Sequence, residues 1–217
     1  MVTGRIYLGL AIGVTTLISV VLATAHSAGP SFITTVLPSE LPLFAVSGSL
    51  GALMVFVSDK TKGVYEYLIA YGVDTFAMSV SIVLAAIALV SIVLVVALGL
   101  ISLLAVVEYG TLPGSFFEQV VIYTVPLSFA AVAFMTMAGM AWAAVASPRS
   151  GMNSPVGLAP MLGIFPLVLV TITSAFLTPT QHQWLAVAVA AGLLALVALL
   201  AILLSRGAVR ERFLSTL

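Results

Sequence analysis

Apolar residues run through this chain in long blocks separated by short polar breaks. A helix needs ~20 apolar residues to cross a hydrocarbon core about 30 Å thick. Six blocks meet that requirement: residues 6–24, 41–57, 75–107, 119–146, 156–177 and 184–204. The second is short and starts beside Pro38 and Pro42, whereas the third is long enough to tilt or to bend near Gly99. No run alternates strictly with turns every ten residues, which speaks against a β-barrel. Without an internal repeat, a linker or a soluble segment, the pattern predicts one domain over residues 1–217. Its fold class is all-α integral membrane protein, a bundle of six transmembrane helices.

Composition agrees. Of the 217 residues 62% are hydrophobic and 6% charged, whereas soluble domains carry about 25% charged residues. Such a chain has too few charges to cover a water-facing surface. The seven basic residues then give the orientation. Arg5 precedes the first block, Lys60 and Lys62 lie between the second and third, Arg149 between the fourth and fifth, and Arg206, Arg210 and Arg212 after the sixth. The opposite loops, residues 26–40, 108–118 and 178–183, hold no basic residue. The positive-inside rule therefore puts both termini in the cytoplasm of a multi-pass plasma-membrane protein. The first block imitates a signal peptide, with Arg5, an apolar run and then Ala23-Thr24-Ala25. Its run exceeds the usual 7–15 residues, so it reads as a retained span.

The interior offers little chemistry. No Asp, Glu, Lys, Arg or His lies near the middle of a predicted span, where ion-coupled carriers and voltage sensors keep ionisable groups. Glu40, Glu108 and Glu118 at outer helix ends, with His26 and His182 in outer loops, read as a solvated rim; the alternative is an outer substrate vestibule. Gly-x-Ser-x-Gly, His-Glu-x-x-His and the phosphate-cradling Gly-x-x-x-x-Gly-Lys-[Ser/Thr] are all missing. The chain has no cysteine, hence no thiolate metal site or cysteine nucleophile. No metal, cofactor or nucleic-acid partner is expected of the chain itself. Uphill transport would draw its energy from another subunit.

Small residues recur at helical spacing: Gly48, Gly51 and Ala52; Ala130, Ala131, Ala133, Ala138, Gly139, Ala143 and Ala144; and Ala188, Ala191, Gly192 and Ala195. Such rows let helices approach closely in lipid. Packing within the bundle is the expected use, and a dimer face is the alternative. Pro126, Pro160 and Pro166 are expected to kink the fourth and fifth spans.

Against this background residues 58–72 stand out, with Asp59, Lys60, Lys62 and Glu66 in an otherwise apolar neighbourhood. Ser58 or Asp59 is expected to cap a helix start and Gly72 to end it. Val64, Leu68 and Tyr71 fall on one stripe, with Tyr65 and Ile69 beside it. Lys62 and Glu66 stand four apart, a pairing worth tenths of a kcal/mol. The prediction is a short amphipathic helix with Tyr65, Tyr67 and Tyr71, joined directly to two spans. Aromatic residues of this kind suit a membrane interface and a protein-docking surface equally.

The run Asp59-Lys60-Thr61-Lys62-Gly63-Val64-Tyr65-Glu66-Tyr67-Leu68-Ile69-Ala70 resembles the charged cluster, Gly and "x-x-Glu-x-Leu-Leu" signature of ABC-2 type permeases. Ser147-Pro148-Arg149-Ser150 similarly resembles that family's second cytoplasmic loop. The resemblance implies that residues 58–72 form a cytoplasmic coupling helix between spans two and three. That helix would dock on a separate ATP-binding subunit, which alone would hold ATP and Mg. By this resemblance Asp59, Lys60, Lys62, Gly63, Tyr65, Glu66, Leu68 and Tyr71 form the docking face. Gly63 would permit a tight turn into the helix, Glu66 would make polar contact with the partner, and Leu68 would seat the helix. It further implies export, and a second copy of this or a related permease lining the path.

Three features depart from the family pattern. Arg5 leaves no room for an amphipathic connecting helix before the first span, Gly72 stands near where many members have Pro, and residues 178–183 are too few for re-entrant outer helices. A haem-exporter-like permease shares the size and span count. An ATPase-independent channel or carrier, or a structural membrane protein, accounts for the spans without the charged segment. The aliphatic, Ser, Thr and Met side chains of a presumed path suit an amphiphile or hydrophobic small molecule.

Overall fold

The computed structural model describes residues 41, 42, 45, 59, 62–112, 114–145, 166–170, 172, 176 and 179–205. Among these every regular element is helical. A short helix α1, Val64–Ala70, leads into the long α2, Thr75–Tyr109. Then come α3, Gly114–Gln119, a π-turn over Val120–Thr124, α4, Val125–Val145, and finally α5, Pro179–Ser205. Three helical stretches are long and apolar enough to cross a membrane: Phe76–Val107, Phe116–Ala141 and Gln181–Leu203. They match the third, fourth and sixth predicted spans. The first span, most of the second, and the loop holding Arg149 lie outside the described residues.

The helices start and stop for local reasons. α2 runs 35 residues without a proline, about 52 Å at 1.5 Å per residue, and continues unbroken through Gly99. That exceeds the thickness of a bilayer's hydrocarbon core, about 30 Å. It stops at Gly110, whose amide donates to the Val106 carbonyl at 2.9 Å. Pro126 has no N–H to give to the Ile122 carbonyl, and its ring would press on that carbonyl in a regular helix. The wide π-turn directly before it accommodates the proline, so the expected irregularity in the fourth span takes this form. Ser128 adds a side-chain bond inside the helix, its hydroxyl donating to the Thr124 carbonyl at 2.6 Å.

α4 is the centre of the bundle. Of its crossing stretch 67% is buried, against 28% for α2 and 17% for α5. One seam joins α2 to α4, built from Ala86, Val90, Leu94, Ala97, Ile101 and Ala105 with Phe116, Val120 and Val132. Leu41 and Ala45 belong to the same cluster. A second seam joins α4 to α5 through Tyr123, Leu127, Ala130, Ala131 and Met135 against Ala186, Ala190 and Leu193. The third cluster gathers Met78, Val83, Ala133, Met137 and Met140, with Val197, Leu200 and Ala201 packed against them.

These pairings fix the directions. Early residues of α4 meet early residues of α5 and late meet late, so the two helices run parallel. The start of α2 meets the end of α4, so that pair is antiparallel. Leu167 and Val170 pack in the Tyr123 cluster, at the opposite end from Val145.

The rows of small residues divide. Ala130, Ala131, Ala133 and Gly139 of α4 are buried, as packing within the bundle requires. Ala188, Ala191, Gly192 and Ala195 of α5 are exposed instead, which corrects the expectation that they pack inside. Ala186 and Ala190, one position round the helix, face α4 in their place. Gly48, Gly51, Ala52 and Pro160 lie outside the described residues.

Candidate functional site

The segment singled out by its charge is a helix of seven residues, Val64–Ala70. Its start differs from expectation. Asp59 is itself helical, and the residue at the N-cap is Gly63, with no side-chain cap. Gly63 sits at φ 71°, a left-handed conformation that costs any residue with a Cβ. It turns the chain into α1, and its carbonyl accepts the Tyr67 amide at 3.1 Å.

The other end closes as expected at Gly72, φ 85°. The Gly72 amide donates to the Ile69 carbonyl at 2.9 Å and the Val73 amide to the Leu68 carbonyl at 3.1 Å. This crossed pair is a Schellman motif, which normally brings an apolar residue after the glycine onto the last turn. Here Val73 and Leu68 both pack, with Ile69, against the cluster of Met78, Val83, Ala133, Met137 and Met140. α1 is thereby keyed onto the start of α2 and the later part of α4.

The buried side of α1 is accordingly Leu68, Ile69 and Val73. The predicted stripe of Val64, Leu68 and Tyr71 is corrected, because the left-handed turn at Gly72 ends the helix before Tyr71 can join that face. Val64 is 39% exposed and Tyr71 71% exposed. Tyr71 instead pairs with Tyr67, itself 62% exposed, with ring centroids 4.6 Å apart. The Tyr67 hydroxyl donates to that of Tyr71 at 3.0 Å. This bond, and secondarily desolvation, raises the Tyr67 phenol above its ordinary 10.0. Tyr67 is the member of the face that the motif had not singled out, though its i, i+4 spacing to Tyr71 signalled the pair. Lys62, just before the helix start, is exposed. Tyr65 and Glu66 lie on α1 by backbone only, so the Lys62–Glu66 pairing falls outside the described side chains, as do Lys60 and Arg149 entirely.

At the opposite end of the bundle, His182 is a second correction. Expected on a solvated outer loop, it lies in the first turns of α5 and is 6% exposed. The sixth span begins earlier than expected, at Pro179, and this draws the histidine inside. Thr178-Pro179 is the N-cap and first-position pattern that would have signalled it. Its Nε2 lies 3.0 Å from the Val170 carbonyl, and its ring meets that of Tyr123 edge-on at 5.3 Å. Glu118 is exposed, as a rim residue would be. The Glu108 side chain, Glu40 and His26 lie outside the description. Among the described residues no group of three His, Asp or Glu side chains is close enough to hold a metal.

No family model matches the chain, no curated protein matches it, and no solved structure matches it.

Proposed function

We propose that this chain is the permease subunit of an ABC transporter of the ABC-2 type, driven by a separate ATP-binding subunit that docks on α1. The observation that carries the reading is the construction of α1. Leu68, Ile69 and Val73 pack on the cluster that joins the start of α2 to the later part of α4, while Lys62, Val64, Tyr67 and Tyr71 are exposed and available to a partner. A push on the exposed side would reach α2 and α4 through that cluster, because close-packed interiors transmit strain. Only Tyr71, Gly72, Val73 and Asp74 separate α1 from α2, so little motion is lost in the connection.

In this reading the chain crosses the plasma membrane six times with both termini cytoplasmic, and α1 faces the cytoplasm. The seven basic residues support that orientation. ATP and Mg are held by the partner, consistent with a sequence that has no phosphate-cradling loop. A second copy of this or a related permease completes the path, and transport is outward.

The test is co-purification of the tagged full chain with an ATP-binding subunit from its own cells, followed by nucleotide-driven transport in liposomes. Glu66→Lys and Gly63→Trp should abolish docking while insertion is unchanged. Full transport without any ATPase, insensitive to Glu66→Lys, refutes the reading and leaves an ATPase-independent carrier.

A further inference from the structure

Two irregular features meet at the end of the bundle remote from α1. One is the π-turn Val120–Thr124, followed at once by Pro126. A regular helix ties each carbonyl to the N–H four residues on, and across this stretch the regular ladder is interrupted. Residues 114–119 therefore form an arm joined to α4 through this irregular turn. The other feature is His182, whose ring joins three elements: α5 that carries it, Val170 to which it is bonded, and Tyr123 at the π-turn.

The arm and its turn are held on two sides by different kinds of contact. Phe116 and Val120 pack in the seam that also contains Ile101 and Ala105 of α2. Those contacts are apolar and carry no directional bond. Tyr123, 2% exposed, faces His182, and that ring is fixed by its hydrogen bond. A carbonyl oxygen only accepts, so Nε2 must carry the proton and donate. The outer side of the arm and its turn is open, with Phe117 58% and Val121 66% exposed. Nothing among the described residues blocks the arm from moving outward on that side.

We propose that the π-turn is a hinge and that the Tyr123–His182–Val170 junction is the latch that holds it shut. Loss of the His182 hydrogen bond frees the ring, loosens one wall of the packing around Tyr123 in the hinge, and lets residues 114–119 swing away from α5. π-turns inside α-helices are frequent at functional sites, and closure elements commonly turn on a few residues. The inference concerns this chain alone and does not depend on an ATP-binding partner.

The chain has no cysteine, so labels can be placed without background. Phe117→Cys and Trp184→Cys put spin labels on two exposed positions, one on the arm and one on α5. Pulsed dipolar spectroscopy on the full chain in nanodiscs should give one narrow distance population. Adding His182→Ala should produce a second, longer population. His182→Gln, which keeps a donor for the Val170 carbonyl, should restore the single one. Adding Pro126→Ala to the His182→Ala protein lets the helix regain its regular ladder and should remove the longer population. If His182→Ala does not yield monodisperse protein, Tyr123→Leu carries the same comparison. A single population in the releasing variant, or equal broadening with His182→Gln, overturns the proposal.

Discussion

Gly72 is where the keying of α1 is most exposed to a single atom. It holds φ 85°, and a Cβ added there would meet nothing within 4 Å. Gly72→Ala therefore introduces no clash with neighbours, and its cost is confined to the backbone. A residue with a Cβ in the left-handed region costs roughly 1–2 kcal/mol. That is about a 5- to 30-fold shift in the equilibrium of the closing turn. The turn carries the Gly72 and Val73 amide bonds and seats Val73 and Leu68, so its opening releases α1 from the cluster of α2 and α4. Hydrogen exchange followed by mass spectrometry on the protein in nanodiscs reads this directly. Peptides covering residues 63–73 should exchange about 5- to 30-fold faster, with α4 unchanged. Gly99 supplies the control, since it too has open space around it but lies inside α2 without a positive φ. There the same Gly→Ala change should stabilise the helix by about 0.5–1 kcal/mol. Unchanged exchange in Gly72→Ala, or a loss of stability in Gly99→Ala larger than that in Gly72→Ala, refutes the backbone argument.

Two further outcomes follow from single side chains. Thr136 is fully buried in α4, and its hydroxyl has no hydrogen-bond partner. Such an orphan costs about 1–3 kcal/mol, so the similarly shaped Thr136→Val should raise the thermal midpoint in detergent by a few degrees; a lowered midpoint would mean that the hydroxyl is used. Tyr71→Phe removes the acceptor that favours the neutral Tyr67 phenol, so tyrosinate absorbance should show Tyr67 ionising nearer 10.0. Because the Tyr67 value is raised in the folded protein, the tie is intact below pH 10.0 and is lost as pH rises through the raised value.

The long helices were legible because crossing hydrocarbon demands length and apolarity, and α2 falls within two residues of the expected block. The glycine that ends α1 was legible too, since its left-handed turn is a local requirement. The cap at the other end was not. Asp59 has the chemistry of a cap, but the chain is already helical there and restarts at Gly63. His182 was misplaced because a histidine beside two glutamines reads as polar loop. Only the meeting of α5 with Tyr123 and Val170 shows that its hydrogen-bonding demand is met inside.

By itself the sequence determined that this is an apolar helical protein, where the third, fourth and sixth of its predicted spans lie, and that a short helix falls within residues 58–72. Those properties follow from local composition: a backbone in hydrocarbon must satisfy its own hydrogen bonds, and helices do so within the segment. It did not determine which side of each helix faces inward. α2 is apolar all round, so no stripe marks its contact face, and the choice of Ala86, Ala97 and Ala105 for the seam comes from closeness of approach to α4. The same holds for α5, where Ala186 and Ala190 turn inward and Ala188, Ala191, Gly192 and Ala195 outward. Where every side chain is equally at home in the solvent, packing shape decides the arrangement, and shape belongs to the assembled helices.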